Sequence, residues 1–313
     1  MSALVTLGET MAVLAADRPG RLDSGTLLRM GFAGAEATVA IGVSRLGHTA
    51  SWTGRVGADS AGTMILAGLR GESVDVSCAR VDDTAPTGLM LRERRTPDHT
   101  HVTYYRRGLA GSRLVPEDID AELVAAASIL HITGITPALG TGPRAAVRQA
   151  VDLARAAGVT VSLDLNYRAR LWSRTEAAAE LADLVARADI VFAGADEATL
   201  IVPEDEPDAM ARALLTRGPR EAVLKLGARG AVAVTHDTEA FQDIVPVTPV
   251  NPIGAGDAFV AGYLAGHLDG APLAGRLLLA ATCGAFAVAA PGDWEGLPTR
   301  AELDLLRGED VLR

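Results

Sequence analysis

The chain has 313 residues, of which 49% are hydrophobic and 22% charged, so it can bury a substantial core. Its 29 basic and 39 acidic residues give a formal net charge of −10, which argues against a dedicated surface for nucleic acid or anionic membranes. The two cysteines, Cys78 and Cys283, lie in no CxxC or Cys/His cluster, so we expect reduced, packed thiols and neither a disulfide framework nor a zinc site.

The sequence shows no signal-peptide pattern and no apolar run of about 20 residues, which predicts a cytoplasmic protein without a membrane span. Lys225 is the only lysine, so the other 28 of the 29 basic residues are arginine. Because Lys225 follows Leu224 and not glycine, the chain has no GxxxxGK[ST] phosphate-binding loop.

The first third of the chain predicts a strand–helix–strand unit followed by a hairpin. Residues 2–8 form a short apolar strand, residues 36–46 suit a helix packed on a sheet, and residues 52–57 are punctuated by glycine. Residues 88–95 and 100–107 alternate apolar or aromatic with polar side chains around Thr96-Pro97-Asp98. That alternation predicts a β-hairpin with one exposed face.

From about residue 115 the pattern becomes regular and predicts right-handed βαβ units in a doubly wound, mostly parallel sheet. The predicted helices are 116–126, 141–157, 175–187, 207–217, 257–269 and 273–289, and the predicted strands are 128–132, 159–164, 189–192 and 221–226. A second hairpin is predicted over 223–234 with its turn at 227–230. Ligands of such sheets bind beyond the carboxyl ends of the strands, so we expect the chemistry there.

The strongest candidate for chemistry is Gly254-Ala255-Gly256-Asp257, at the start of an apolar helix. Small residues at a helix N-terminus let backbone amides approach an anion, and the helix dipole adds to the attraction. Asp257 could accept a proton from an attacking hydroxyl while those amides stabilise a phosphoryl group. The alternative is that Asp257 only caps the helix and the glycines only form a tight turn.

Four segments together resemble the ribokinase-like, or PfkB-type, carbohydrate kinases over about residues 4–290. They are Asn251 to Gly262, Gly34 to Ala40, Gly54 to Gly62, and Lys225 to Gly230. The resemblance implies a three-layer α/β fold whose body comprises residues 1–10, 34–85 and 112–313, with a small β-lid from residues 11–33 and 86–111. It also implies transfer of the γ-phosphoryl group of ATP, with Mg²⁺, to a primary hydroxyl of a small-molecule sugar.

Within the family, the chain most resembles the 2-keto-3-deoxygluconate kinases. Tyr104-Tyr105-Arg106 closes the hairpin, and residues 164–168 are followed by Leu171-Trp172 in the manner of that subgroup. A planar guanidinium binds a carboxylate through two parallel hydrogen bonds, so Arg106 and Arg168 suit an acidic sugar. Each arginine could instead form a surface salt bridge.

The resemblance assigns the remaining roles. Asp257 is the expected base, and the amides of Gly254, Ala255 and Gly256 the expected anion-binding group. The sugar is expected against Gly34, Tyr104, Arg106, Arg168 and Asp257. The nucleotide is expected against Asn166, Lys225, Gly227, Gly230, Gly254 and Gly256, with Glu197 acting on Mg²⁺ through water. Exclusion of water by the lid would limit ATP hydrolysis, and its exposed sheet face predicts a homodimer.

Three positions depart from the family pattern. Thr38 and Gly194 each replace an asparagine, and Asn251 replaces an aspartate, which weakens the expectation of a monovalent-cation site and leaves the substrate and the metal dependence less defined. A neutral-ketose kinase, such as a fructokinase or ribokinase, is therefore the alternative enzyme. A non-catalytic regulator that binds sugar or nucleotide is the alternative from another class.

The remaining candidates favour structural roles. His131 ends an apolar strand and is expected in the core. His99 and His101 lack a third ligand at metal-binding spacing, and Ser51 and Ser60 lack a G-x-S-x-G context.

Overall fold

The structure is a computed structural model that describes residues 2–96 and 99–306. Its strands, in chain order, are β1 (Leu4–Leu7), β2 (Met11–Ala16), β3 (Leu28–Ala33), β4 (Ala50–Thr53), β5 (Arg55–Gly57), β6 (Val74–Asp75), β7 (Arg80–Asp82), β8 (Leu89–Thr96), β9 (His99–Tyr105), β10 (Ile129–Thr133), β11 (Thr160–Asp164), β12 (Ile190–Gly194), β13 (Glu221–Lys225), β14 (Ala231–Thr235) and β15 (Glu239–Gln242).

The helices lie between these strands and after the last of them. They are α1 (Ala35–Arg45), α2 (Ser60–Gly71), α3 (Ala121–Ala125), α4 (Thr141–Ala157), α5 (Arg174–Val185), α6 (Ala195–Ala198), α7 (Pro207–Leu215), α8 (Ala255–Leu268) and α9 (Leu273–Val288). Short 3₁₀ turns cover Ala110–Arg113, Pro116–Asp118, Thr136–Leu139, Gly227–Arg229 and Arg300–Leu306. No helix in the described part of the chain has the length and apolar character needed to cross a membrane.

Nine strands form the large sheet, in the order β15-β14-β13-β12-β11-β10-β1-β4-β6. The neighbours from β13 to β6 pair in parallel, whereas β14 and β15 complete one edge through antiparallel pairs. Because β1 and β10 to β13 run in parallel, their carboxyl ends share one edge of the sheet. This is the mostly parallel, doubly wound architecture that the alternation predicts.

Helices cover both faces of the large sheet, so its central strands are buried on each side. In β12, Val191 and Ala193 pack in the core with α4, α5 and α7, while Ile190 and Phe192 pack in the core with α1 and α8. Successive side chains of a strand point to opposite faces, so an entirely apolar strand fits only a sheet with two covered faces.

A separate small sheet contains β3, β2, β8 and β9 in that order. Strands β2 and β8 pair in parallel, and each also pairs antiparallel with an outer strand. The hairpin predicted from alternation is therefore present as β8 and β9, although Pro97 and Asp98 of its predicted turn lie outside the described residues. Strands β5 and β7 form a further parallel pair.

Two predictions about helices are wrong in detail. The predicted helix 116–126 is divided into a short turn and α3. The Asp118 carboxylate closes the turn by accepting a hydrogen bond from the amide of Val115 at 3.0 Å. Asp120 then caps α3 by accepting from the amide of Leu123 at 2.9 Å. Helix α8 begins at Ala255 and not at Asp257. Asp257 therefore lies inside the first turn and is not the cap.

Candidate active site

A cavity of about 1240 Å³ lies between the carboxyl edge of the large sheet and the small sheet. Its walls combine segments that follow β1, β10, β11 and β12 and the last residue of β13 with side chains of β8 and β9. The predicted site residues that line it are Gly34, Tyr104, Arg106, Asn166, Arg168, Glu197, Lys225, Gly254, Gly256 and Asp257. The expectation that chemistry lies beyond the carboxyl ends of the strands therefore leads to this cavity.

Asp257 is the third residue of α8 and is only partly exposed. The side-chain amide of Asn166 donates a hydrogen bond to its Oδ1 at 3.2 Å. Burial and the negative charge of Asp164 raise the pKa of Asp257 to about 7, against the opposing charges of Lys225 and Arg168. A carboxyl group that titrates near neutrality is suited to accept and release a proton.

The turn before α8 depends on glycine at position 254. Gly254 adopts a left-handed conformation with φ of 81°, and a Cβ there would overlap the carbonyl oxygen of Asp293. Asn251 secures the turn, because its Oδ1 accepts from the amide of Ile253 and its Nδ2 donates to the carbonyl of Gly292, each at 3.1 Å. Gly254 and Gly256 therefore lie at the cavity beside Asp257, whereas Ala255 does not line it and its amide donates to the carbonyl of Pro252 at 3.4 Å.

Lys225 ends β13 and donates hydrogen bonds to both carboxylate oxygens of Asp164, at 2.8 and 2.6 Å. Asp164, at the end of β11, is 1% exposed. Burial alone would lower the pKa of Lys225, but Asp164, Glu197 and Asp257 hold it above its usual value. The single lysine of the chain is thus a largely shielded cation, 18% exposed, among the carboxylates at the carboxyl edge of the sheet.

The profile of the pfkB carbohydrate kinases matches residues 1–300. This chain belongs to the PfkB family of carbohydrate kinases. It is 38% identical to the 2-dehydro-3-deoxygluconokinase of Bacillus subtilis (strain 168) over 96% of this chain and 93% of that protein. It is 35% identical to the enzyme of the same name from Thermoproteus tenax, over 98% of this chain and 94% of that protein.

A solved structure supports the same assignment. A protein of E. coli, provisionally named ribokinase II and solved with ATP and Mg²⁺, superimposes with a TM-score of 0.92 at 25% identity, covering 98% of this chain and 99% of that one. The expected ribokinase-like fold and family are confirmed, and the chain is an ATP-dependent sugar kinase. These relatives do not support the alternative of a non-catalytic regulator.

The two arginines predicted at the sugar side of this PfkB kinase differ in their surroundings. Arg106 forms an ion pair with Glu9, whose side chain is fully buried, and the Arg106 guanidinium lies 5.6 Å from the centre of the Tyr104 ring. Arg168 is exposed, and the structure describes no carboxylate paired with it. Arg168 is therefore the better candidate for a carboxylate ligand, whereas the charge of Arg106 is already compensated.

The predicted nucleotide and metal residues do not form one cluster. Gly227 and Gly230 have positive φ angles of 59° and 83° in the tight turn after β13, and neither lines the cavity. Both carboxylate oxygens of Glu197 accept backbone amides, Oε1 from Tyr167 (2.9 Å) and Oε2 from Gly194 (2.7 Å). Glu197 thus joins the loops after β11 and β12.

The Gly54 to Gly62 segment of the kinase has a structural role. Asp59 caps α2 by accepting from the amide of Gly62 at 2.7 Å, and it accepts from both the amide and the hydroxyl of Thr87 at 2.8 Å. Thr87 in turn accepts from the amide of Gly57 at 2.8 Å. This part of the family signature therefore fixes the start of β8 and does not face the cavity.

Six charged residues of the cavity escaped sequence reasoning, and two of them, Arg107 and Arg170, are exposed. Glu9, Glu36, Arg92 and Asp293 all line it and are largely buried. Glu36 accepts hydrogen bonds from the hydroxyls of Thr133 and Thr136, both at 2.7 Å. Glu9 had a signal, because it follows β1 and should lie at the carboxyl edge of the sheet, but nothing local marks Asp293.

Other predictions have simpler outcomes. His131 is fully buried and hydrogen-bonds Ser162 (2.9 Å), and burial lowers its pKa to about 3, so it is a core histidine as expected. Both cysteines are free; Cys283 is buried, but Cys78 is partly exposed, so the expectation of packing is wrong for that residue. The described residues contain no cluster of three or more metal-ligating side chains, and His99 and His101 lie exposed on β9.

Proposed function

We propose that this kinase transfers the γ-phosphoryl group of ATP to the terminal primary hydroxyl of 2-keto-3-deoxygluconate. The observation that carries the proposal is the exposed guanidinium of Arg168, which lines the cavity that also contains Asp257. A guanidinium without a carboxylate partner suits an acidic sugar because it can form two parallel hydrogen bonds with a carboxylate. Two relatives named 2-dehydro-3-deoxygluconokinase, a synonym for a kinase of the same sugar acid, support this substrate.

In the proposed reaction Asp257 accepts the hydroxyl proton as the sugar oxygen bonds to the γ-phosphorus and the bond from that phosphorus to the bridging oxygen of ADP breaks. Asn166 orients the carboxylate through Oδ1, which leaves the other oxygen available for the proton. The amides of Gly254 and Gly256 stabilise negative charge on the transferred group, whereas the expected contribution of Ala255 is not included because its amide donates to Pro252. The protein contributes geometry and electrostatics and forms no covalent intermediate.

The carboxylate of Glu197 in the cavity, with Asp164 behind it, fits a Mg²⁺ ion that is bound through water. Both oxygens of Asp164 already accept from Lys225, and both oxygens of Glu197 accept backbone amides. Each oxygen of Glu197 keeps a second lone pair that can accept from a metal-bound water. When bound, the ion would neutralise charge on the nucleotide phosphates, with Glu197 orienting its waters. We place the nucleotide beside Asn166, Lys225, Gly227, Gly230, Gly254 and Gly256.

We further propose that residues 11–33 and 86–111 act as a lid over the remaining α/β body. The supporting observation is that Arg92 of β8 and Tyr104 of β9 line the same cavity as Asp257. Met30 and Tyr105 of the small sheet are each 53% exposed, which fits the expected homodimer through this sheet.

The direct test is a coupled assay of ATP consumption over sugar acids, hexoses, pentoses and nucleosides. We expect turnover to be highest with 2-keto-3-deoxygluconate and to depend on added Mg²⁺. A higher kcat/KM for fructose or ribose would replace the sugar acid by a neutral ketose. If none of these compounds stimulated ATP consumption, the proposed substrate class would be contradicted.

The pKa of Asp257 predicts the acid limb of the pH profile. Because the base must be deprotonated, kcat/KM should fall about tenfold per pH unit below a midpoint near 7. The profile is measured with a buffer series at constant ionic strength. The residual activity of Asp257→Asn should lack this limb. A midpoint near 4 in the wild type would mean that Asp257 keeps an ordinary pKa or is not the base.

Substitution of Arg168 tests the substrate class. Arg168→Lys keeps the charge but cannot form two parallel hydrogen bonds with a carboxylate. Because a hydrogen bond to a charged group is worth roughly 1.5–3 kcal/mol, kcat/KM for the sugar acid should fall about tenfold or more. A neutral ketose should be affected less. Arg174→Lys is the control, because Arg174 lies in α5 and donates to Thr199 outside the cavity. Equal losses for acidic and neutral sugars would show that Arg168 does not bind the carboxylate.

A further inference from the structure

Residues 292–294, which we name the bridging segment, follow α9 and contact the turn at Gly254. Gly254 packs directly on the backbone carbonyl of Asp293, and Asn251 donates a hydrogen bond to the carbonyl of Gly292. The turn can therefore hold its amides in place only while the backbone of the bridging segment stays where it is.

The same segment is bound to the small sheet through Asp293. Arg92 of β8 donates from Nη2 to both carboxylate oxygens of Asp293, at 2.9 and 3.1 Å. The two side chains are only 9% and 13% exposed, and they are 201 residues apart in the sequence. An ion pair this shielded from water is not a typical surface salt bridge, since removal of one partner leaves a buried charge uncompensated.

A second contact joins the bridging segment to another strand of the small sheet. The Trp294 indole nitrogen donates to the carbonyl of Phe32 in β3 at 3.0 Å, and the two rings stack with centres 4.8 Å apart. The guanidinium of Arg45 in α1 lies 5.4 Å from the centre of the Trp294 ring. Trp294 anchors the bridging segment to β3, whereas Asp293 supplies the charged link of the segment to β8.

We propose that Arg92 and Asp293 are positioning residues that fix the anion-binding turn of α8 to the small sheet. The sheet that covers the cavity thereby sets the geometry of the amides that stabilise the transferred phosphoryl group. The pair acts through the backbone of Asp293 and not by contact with the reacting atoms. Only the kinetic part of this inference rests on the proposed function.

The first experiment needs no substrate. Amide hydrogen exchange is measured on the full chain for Arg92→Met, Asp293→Asn and a control, Arg148→Met. The control breaks a more exposed pair, in which Arg148 of α4, 48% exposed, donates to Glu180 of α5 at 3.0 and 2.7 Å, and neither residue lines the cavity. We expect exchange in peptides covering residues 250–258 to accelerate about tenfold in both test variants and to stay unchanged in the control.

The second experiment is a double-mutant cycle on ATP-dependent turnover with 2-keto-3-deoxygluconate. Each single variant should lower kcat about tenfold with the KM for ATP within about twofold of wild type, and the double variant should be no worse than either single one. Asp293→Asn keeps the size of the side chain, so it remains informative if Arg92→Met unfolds. Thermal unfolding of every variant accompanies the kinetics.

Three results would overturn the inference. Unchanged exchange at residues 250–258 in Asp293→Asn would show that the turn does not depend on the pair, whatever the substrate. Additive losses in the double variant would show that the residues act separately. A rise in the sugar KM alone, confined to Arg92→Met, would mean that Arg92 binds the sugar directly. Failure of the wild type to use any sugar would contradict the proposed function and leave the exchange result to decide the inference.

Discussion

Asp257→Asn is expected to lower kcat by about 10²–10⁴-fold, because the substitution removes the proton acceptor while keeping the shape of the side chain. The KM for sugar and for ATP should stay within about twofold of wild type, since the hydroxyl and phosphate contacts are kept. The measurement is steady-state turnover, with binding of both substrates followed by calorimetry. Asp196→Asn is the matched control, because Asp196 lies in the first turn of α6 and does not line the cavity.

The same variant should not be less stable than the wild type at pH 8. The folded-state pKa of Asp257, about 7, lies above its ordinary value of 3.8, so ionisation of this carboxyl destabilises the folded state as the pH rises between those values. An uncharged asparagine avoids that cost. Retention of wild-type kcat would exclude Asp257 as the base, and a large drop in Tm would show that lost folding, and not lost chemistry, explains a low activity.

The sequence contained enough information to predict the large sheet because its signals are local. Helix 141–157 has an apolar stripe bounded by Gly140 and Gly158, and its predicted and observed bounds agree. The division of 116–126 was missed because it depends on the Asp118 carboxylate, which binds Arg55 at 2.6 Å across 63 residues of sequence. A pairing of that kind leaves no local periodicity.

The candidate site could be predicted only in part, for the same reason. Asp257 and the Gly254 turn form a continuous motif at a helix N-terminus, so their proximity is set by the chain itself. The ion pair of Arg106 with Glu9 joins the residue after the hairpin to the loop after the first strand, and composition alone gives no indication of it. Motifs therefore predict which residues reach the cavity, whereas tertiary packing decides which of their charges are already compensated.

Lys225→Met should reduce the free energy of unfolding by about 3–5 kcal/mol, because it leaves the buried carboxylate of Asp164 without its cation. Asp164 is 1% exposed and both of its oxygens accept from Lys225, so water cannot replace the lost partner. The double variant Lys225→Met/Asp164→Asn should recover most of this loss, since no charge is then left uncompensated. Arg212→Met is the control: its pair with Glu239 is more than half exposed and should be worth less than about 1 kcal/mol.

The single variants Lys225→Met and Asp164→Asn should also move the acid limb of the pH profile in opposite directions. The charge of Lys225 lowers the pKa of Asp257 and that of Asp164 raises it. Lys225→Met should therefore shift the midpoint of kcat/KM above 7, and Asp164→Asn should shift it below 7. Shifts in the same direction would mean that the pair acts through packing and not through its charges. A change limited to the KM for ATP, with stability and the midpoint preserved, would show that Lys225 acts only through its contact with the nucleotide and that its pairing with Asp164 contributes little.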